Sequence, residues 1–147
     1  MTNNYRPVSL TSITCKILES FITDAIRNYM EKNNLVSKCQ HGFRQHRSCV
    51  TQLLEELNDL TTFIENQQDI DIIYLDFSKA FDSVPHQRLL NKLQAYGIDG
   101  NLLKWISNFL NNRKQRVRVN DSYSEYSTVT SGIPQGSILG PILFITY

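Results

Sequence analysis

One stretch limits the folds open to this chain more than any other: residues 69–76, DIDIIYLD. It is short, rich in Ile and bounded by polar residues, the pattern of a buried β-strand. A single strand cannot satisfy its own backbone, so it needs partner strands and a packed layer to cover them. Around it the periodicity is helical. From Ile13 the apolar residues Ile13, Ile17, Phe21, Ile22, Ala25, Ile26, Tyr29 and Met30 recur at spacings of three and four. That predicts an amphipathic helix over 13–32, capped by Thr11 or Ser12. Ser48 is the expected N-cap of a second helix, whose stripe runs Val50, Leu53, Leu54, Leu57, Leu60, Phe63 and Ile64 to about residue 66.

Beyond the strand, 77–82 reads as a helical turn, broken at Val84-Pro85 because proline restricts the residue before it. A helix over 86–96 then stops at Gly97, and Asp99 caps a further one through Leu110. Segments 115–120 and 123–129 alternate around Asn120-Asp121-Ser122, a β-hairpin signal. Residues 130–136 form a loop that leads into an apolar helix from about Ser137. The order is helix, helix, strand, helix, helix, hairpin, helix: a helix-rich α+β plan with a small antiparallel sheet. Its 147 residues suit one core, or part of one. The apolar run 138–147 ends at Tyr147 with no capping glycine, as though inside an element.

Composition removes several classes. Apolar residues are 41% and charged residues 20%, so the chain is neither fibrous nor disordered. Its longest apolar run has 10 residues, short of the about 20 a membrane helix needs. Residues 1–7 lack the basic and apolar stretches expected of a secretory leader. Cys15, Cys39 and Cys49 are odd in number and contain no Cys-x-x-Cys, which argues against a disulfide framework or structural zinc and for an intracellular compartment, nucleus or cytoplasm. A formal net charge of +1 does not announce a polyanion partner, so any such site must be local.

Charge is distributed unevenly. Residues 48–78 hold seven acids and no Lys or Arg, whereas Arg113, Lys114, Arg116 and Arg118 fall within six positions. These four fit a phosphate-binding face or an edge strand protected by charge. Asp76 ends the apolar strand, where a carboxylate can meet a hard cation. Asp82, six residues on, fits a cap or a surface ion pair near Arg88. The loop SGIPQGS, residues 131–137, has glycines that let backbone approach a ligand, but it is neither a Walker loop nor a dinucleotide fingerprint. His41, His46 and His86 lie near no nucleophile elbow and are expected at the surface or at helix starts.

Four blocks in order, NNYRPVSLTS, QHGFRQHRSC, IIYLDFSKAFDSVPHQRLL and VTSGIPQGSILGPILF, together resemble the reverse transcriptases of non-LTR, LINE-type retrotransposons (Jockey- or CR1-like). The resemblance spans nearly the whole chain. It implies a partial right-hand polymerase, with fingers over about 1–68 and an incomplete palm over about 69–147. The activity it implies is RNA-directed DNA synthesis with two Mg2+ ions, an RNA template, a DNA primer and deoxynucleoside triphosphates.

Carried over position by position, Asp76 matches the first catalytic, metal-binding aspartate, with the Phe77 carbonyl as a further metal ligand. Phe81 matches the aromatic that closes the sugar 2′ position. Gln135 and Gly136 would line the nucleotide pocket, and Arg6 would meet the triphosphate. Arg44 and Arg47 would lie near the template path, and Arg113, Lys114, Arg116 and Arg118 would contact nucleic acid. Family members continue into an aromatic-x-Asp-Asp hairpin and a thumb, so the resemblance implies that this sequence holds one metal carboxylate of three. It would then be inactive alone. The alternative is a non-catalytic nucleic-acid-binding remnant of a decayed element.

Overall fold

A computed structural model describes residues 7–147. Five helices and a short antiparallel ribbon make it an α+β chain: α1 (Ile13–Lys32), α2 (Cys49–Glu65), α3 (His86–Ala95), α4 (Gly100–Leu110), β1 (Lys114–Gln115), β2 (Arg118–Val119), β3 (Ser122–Tyr123), β4 (Ser127–Thr128) and α5 (Gly140–Thr146). It divides into two compact units. One joins the described residues up to Ile26 with Lys79–Tyr147, and the other is Arg27–Ser78.

In the first unit α3 packs against α4 and α5. Leu89, Leu93, Ile106, Leu110, Leu139 and Leu143 are its fully buried centre. Leu89 and Leu93 lie one turn apart and share a helix face, so α3 meets its neighbours along one stripe. Gly97, at φ 85, lets the chain leave α3 as its position predicts. Asp99 occupies the N-cap of α4, but its side chain makes no capping bond.

The ribbon pairs Lys114 with Thr128 and Gln115 with Ser127, then Arg118 with Tyr123 and Val119 with Ser122. Two residues, 116 and 117, therefore face three, 124–126, and this bulge interrupts the ladder. Pairing is thus shorter than the alternation predicts, and the turn is Asn120-Asp121, with Asn120 at φ 53. Asparagine tolerates that conformation.

In the second unit Ser48 and Thr51 form the reciprocal cap that starts α2, each side chain accepting from the other's backbone N–H. Arg44 grips Glu31 through two bonds of 2.7 and 2.6 Å and donates to the Ser37 carbonyl at 2.8 Å. The basic loop is thereby tied to the end of α1.

Four expectations are corrected. Residues 69–76 form no strand: they are irregular, and Ile73 and Leu75 are 80% and 92% exposed. Their apolar pattern is right for burial, but no strand among the described residues pairs with them, and a ladder is what makes a strand. The apolar stripe of α2 likewise has no buried residue: Leu60 is half-buried and the other six are exposed. On α1 the buried face is Glu19, Thr23, Ile26 and Met30, whereas Ile13, Ile17 and Phe21 are exposed. The last helix starts at Gly140, not Ser137. The Ser137 hydroxyl accepts from the Gly140 N–H at 2.9 Å, and Pro141 sits in the first turn, where its missing N–H leaves no bond unmade.

Candidate functional site

The segment 131–137 is held by several neighbours within the first unit. Gly132 has φ +87, and a Cβ there would lie 2.8 Å from both Cα and O of Asp82. Only glycine fits so close to another backbone. Its N–H donates to the Val84 carbonyl at 2.8 Å, and the Ile133 N–H to the Phe81 carbonyl at 2.8 Å. Its own carbonyl accepts from His86 Nε2 at 2.8 Å and from Arg113 Nη2 at 2.9 Å. The Ser131 hydroxyl donates to the Asp82 carbonyl at 3.1 Å. Gly136 (φ +94) turns its α-carbon toward the Ser9 carbonyl, and the Ser9 N–H donates to the Gln135 carbonyl at 2.7 Å.

These contacts shape a cleft of about 290 Å³ whose lining includes Pro7, Ser9, Asp82, Arg113, Ser131 and Gln135. Gln135 Nε2 stands 3.5 Å from Asp82 Oδ1, the outer limit for a hydrogen bond. Arg113 also donates to the Leu110 carbonyl at 3.0 Å, and burial pulls its guanidinium below the ordinary value. A carboxylate, a guanidinium and an amide around one opening can bind a ligand with phosphate and hydrogen-bonding groups.

Of the residues singled out in the sequence, Gln135 lines this cleft and Gly136 forms the turn behind it. Phe81 belongs to the same unit, half-buried, with its ring stacked on Phe144 at 4.9 Å between centroids. Asp76 and Phe77 are exposed and belong to the other unit. Arg6 lies outside the described residues. Among the described residues no three His, Cys, Asp or Glu side chains come together. Asp76 and the Phe77 carbonyl are hard oxygen donors of the kind magnesium takes, and such an ion fills much of its shell with water and substrate phosphates.

Arg44 is committed to Glu31, whose carboxyl the guanidinium holds below its usual range. Arg47 donates to Glu55 at 2.6 Å, and Glu55 also meets His41 Nε2 at 3.0 Å. The hydrogen bond from His41, then that from Arg47, depress the Glu55 carboxyl. His41 is therefore a buried residue bonded at both nitrogens, with Thr51 on Nδ1 at 3.1 Å, and not the surface group expected. His86 is also buried, at the first position of α3. On the ribbon, Arg113 turns inward, while Arg116 lies over the rings of Tyr123 and Tyr126 at 4.1 and 5.0 Å. Arg118 lies 5.5 Å from the Tyr123 ring and 3.6 Å from Asp121. Lys114 is exposed on β1.

Sequence reasoning passed over Ser9 and Glu19 as neighbours of this loop. Glu19 Oε2 accepts from the N–H groups of Ile138 and Leu139, at 2.8 and 3.1 Å. The local sign was slight: an acid next to Leu18, with Ile22 three positions on.

No helix among the described residues is long and apolar enough to cross a membrane. A family model described as reverse transcriptase (RNA-dependent DNA polymerase) matches residues 1–147. The probable RNA-directed DNA polymerase from transposon BS of Drosophila melanogaster is 30% identical over 98% of this chain and 16% of its own length. The RNA-directed DNA polymerase from mobile element jockey of Drosophila funebris is 32% identical over 97% of the chain and 15% of its own length. The probable RNA-directed DNA polymerase from transposon X-element of Drosophila melanogaster is 31% identical over 98% and 16%. The chain thus spans about one-sixth of the length of these relatives.

Proposed function

Because the chain belongs to the reverse transcriptase (RNA-dependent DNA polymerase) family, we propose that it carries the nucleotide-selecting part of a retrotransposon RNA-directed DNA polymerase. It would act as part of a right-hand fold, with fingers over about 1–68 and palm over about 69–147. The observation that carries this reading is the 131–136 loop. Its left-handed glycines press it onto Asp82 and Ser9, and it presents Gln135 beside Asp82 and Arg113.

In this reading the chain's own groups bind and orient the incoming deoxynucleoside triphosphate. Gln135 lines the pocket, with Gly136 giving the close backbone approach. Phe81, braced by Phe144, blocks a 2′-hydroxyl. Arg6 meets the triphosphate. Positioning of this kind lowers the barrier to in-line attack by a primer 3′-hydroxyl because the entropy of alignment is lost on binding. Asp76 and the Phe77 carbonyl would hold magnesium together with donors that these residues do not supply, and the ion would neutralise developing phosphate charge. The 147-residue chain is therefore expected to be inactive in synthesis.

Template and primer are nucleic acids, and the exposed ribbon supports contact with them. Arg116 stacked on two tyrosines, with Lys114 and Arg118 nearby, offers charge to phosphates and ring faces to bases. Arg113 supports this face from within, and Arg44 and Arg47 would take a supporting role near the template path. That surface also keeps open the second reading, a binding remnant without catalysis.

The test is photo-crosslinking with an azido-deoxyuridine triphosphate followed by peptide mapping. Label is expected on the peptide that contains Gln135, suppressed by excess dTTP. Labelling that excess dTTP does not suppress, or that spares this peptide, would overturn the assignment.

A further inference from the structure

We propose that Glu19 is a positioning residue for the Pro134-Gln135-Gly136 turn, so that a carboxylate on α1 sets where the Gln135 side chain stands. The inference rests on the nucleotide reading above.

Glu19 is 1% exposed, and burying a carboxylate is unfavourable unless its oxygens accept strong hydrogen bonds. Oε2 accepts two, from the backbone N–H groups of Ile138 and Leu139, at a sequence distance of more than a hundred residues. Oε1 has no hydrogen-bond partner. Neither of these bonds is made to α1 itself. What Glu19 fixes is the backbone two and three residues after the turn.

The turn is gripped on its other side as well. The Ser9 N–H holds the Gln135 carbonyl at 2.7 Å, and Gly136 abuts the Ser9 carbonyl. Residue 135 is thus anchored by residue 9 and residues 138–139 by α1, which leaves the Gln135 side chain directed to Asp82 and the cleft. Freed from Glu19, the two N–H groups would have to seek other acceptors, and the turn would relax with them.

The experiment compares the 147-residue chain with Glu19→Gln and Glu19→Asp. Glutamine keeps a carbonyl oxygen at the place of Oε2. Aspartate keeps the charge but falls short by one methylene. Two quantities are read: amide hydrogen exchange at Ile138 and Leu139, and the affinity for dTTP with magnesium by equilibrium dialysis. The expected result for Glu19→Asp is exchange faster by about tenfold or more and dTTP binding weakened by a similar factor. Glu19→Gln should lie close to the unsubstituted chain in both.

If Glu19→Asp exchanges faster but binds dTTP as the unsubstituted chain does, Glu19 is a helix-start cap only and the proposal fails. Unchanged exchange in Glu19→Asp refutes the clamp itself. Absence of dTTP binding by the unsubstituted chain refutes the nucleotide reading, and with it the purpose given to Glu19, whatever exchange shows.

Discussion

Replacing Gly132 by alanine should destabilise the first unit far more than the same change at Gly100. The two glycines have similar backbone demands, with φ of +87 and +57, and differ in surroundings. A Cβ at Gly100 meets nothing within 4 Å, whereas at Gly132 it meets Asp82 Cα and O at 2.8 Å and Asp82 C at 3.0 Å. Left-handed backbone costs an alanine about 1–2 kcal/mol, partly offset by about 0.4–1 kcal/mol from a less flexible unfolded chain. Gly100→Ala should therefore lose about 1 kcal/mol, and no more than about 1.6. At Gly132 the obstacle is backbone, which cannot rotate aside. Overpacking adds about 1–3 kcal/mol. If the segment shifts to escape, the bonds its carbonyl accepts from His86 and Arg113 weaken, at about 1 kcal/mol each. The sum is about 3 kcal/mol or more, a large share of the about 5–15 kcal/mol that holds a domain together. Urea unfolding followed by Trp105 fluorescence, the chain's single tryptophan, reads the difference as a lower midpoint at unchanged slope. Equal losses for the two variants would refute the close approach of the loop to Asp82.

Three further outcomes are expected. Glu31 and Glu55 both have carboxyls held below the ordinary 4.5 by their hydrogen-bonded partners, Arg44 for Glu31 and His41 then Arg47 for Glu55. A depressed carboxyl contributes stability that is whole above its unfolded value and is lost as pH falls through its folded one. Helicity at 222 nm in moderate urea should therefore drop below about pH 4.5, and drop less in Glu31→Gln; a flat profile would contradict the Arg44 clamp. Changing Lys114, Arg116 and Arg118 to glutamine should lower the salt slope of single-stranded RNA binding by about 0.7 for each phosphate no longer neutralised, and an unchanged slope would remove the ribbon from the interface. In RNA-templated primer extension with magnesium the 147-residue chain should incorporate nothing, and incorporation that disappears in Asp76→Asn would show that its donors suffice.

What the sequence disclosed follows the range of the interactions involved. The bounds of α1, the Ser48 cap and the stop at Gly97 depend on residues within a few positions, and they were legible. The strand expected over 69–76 depends on partners distant in the chain, and the described residues supply none. Of the α1 stripe Ile26 and Met30 are buried, but Glu19 and Thr23, which look like surface residues, are buried with them. Only the N–H groups of Ile138 and Leu139, 119 and 120 positions away, make a buried Glu19 tolerable. His41 was hidden for the same reason, its partners Thr51 and Glu55 being 10 and 14 positions along. The loop 131–137 was visible as a glycine-bearing connection, but its closeness to Asp82 and Ser9 was not. The residues alone mark Asp76 as a candidate cation donor and 131–137 as a loop able to approach a ligand, whereas the roles given to Phe77, Phe81 and Gln135 rest on the family resemblance.

The most direct test of the central claim is equilibrium dialysis of the chain against dTTP and UTP in the presence of magnesium, repeated with Gln135→Ala and Phe81→Ala. A deoxynucleotide site built on this loop predicts saturable dTTP binding, weaker UTP binding, a loss of dTTP affinity in Gln135→Ala, and a smaller preference between the two sugars in Phe81→Ala. No saturable binding, or binding indifferent to both substitutions, would contradict it.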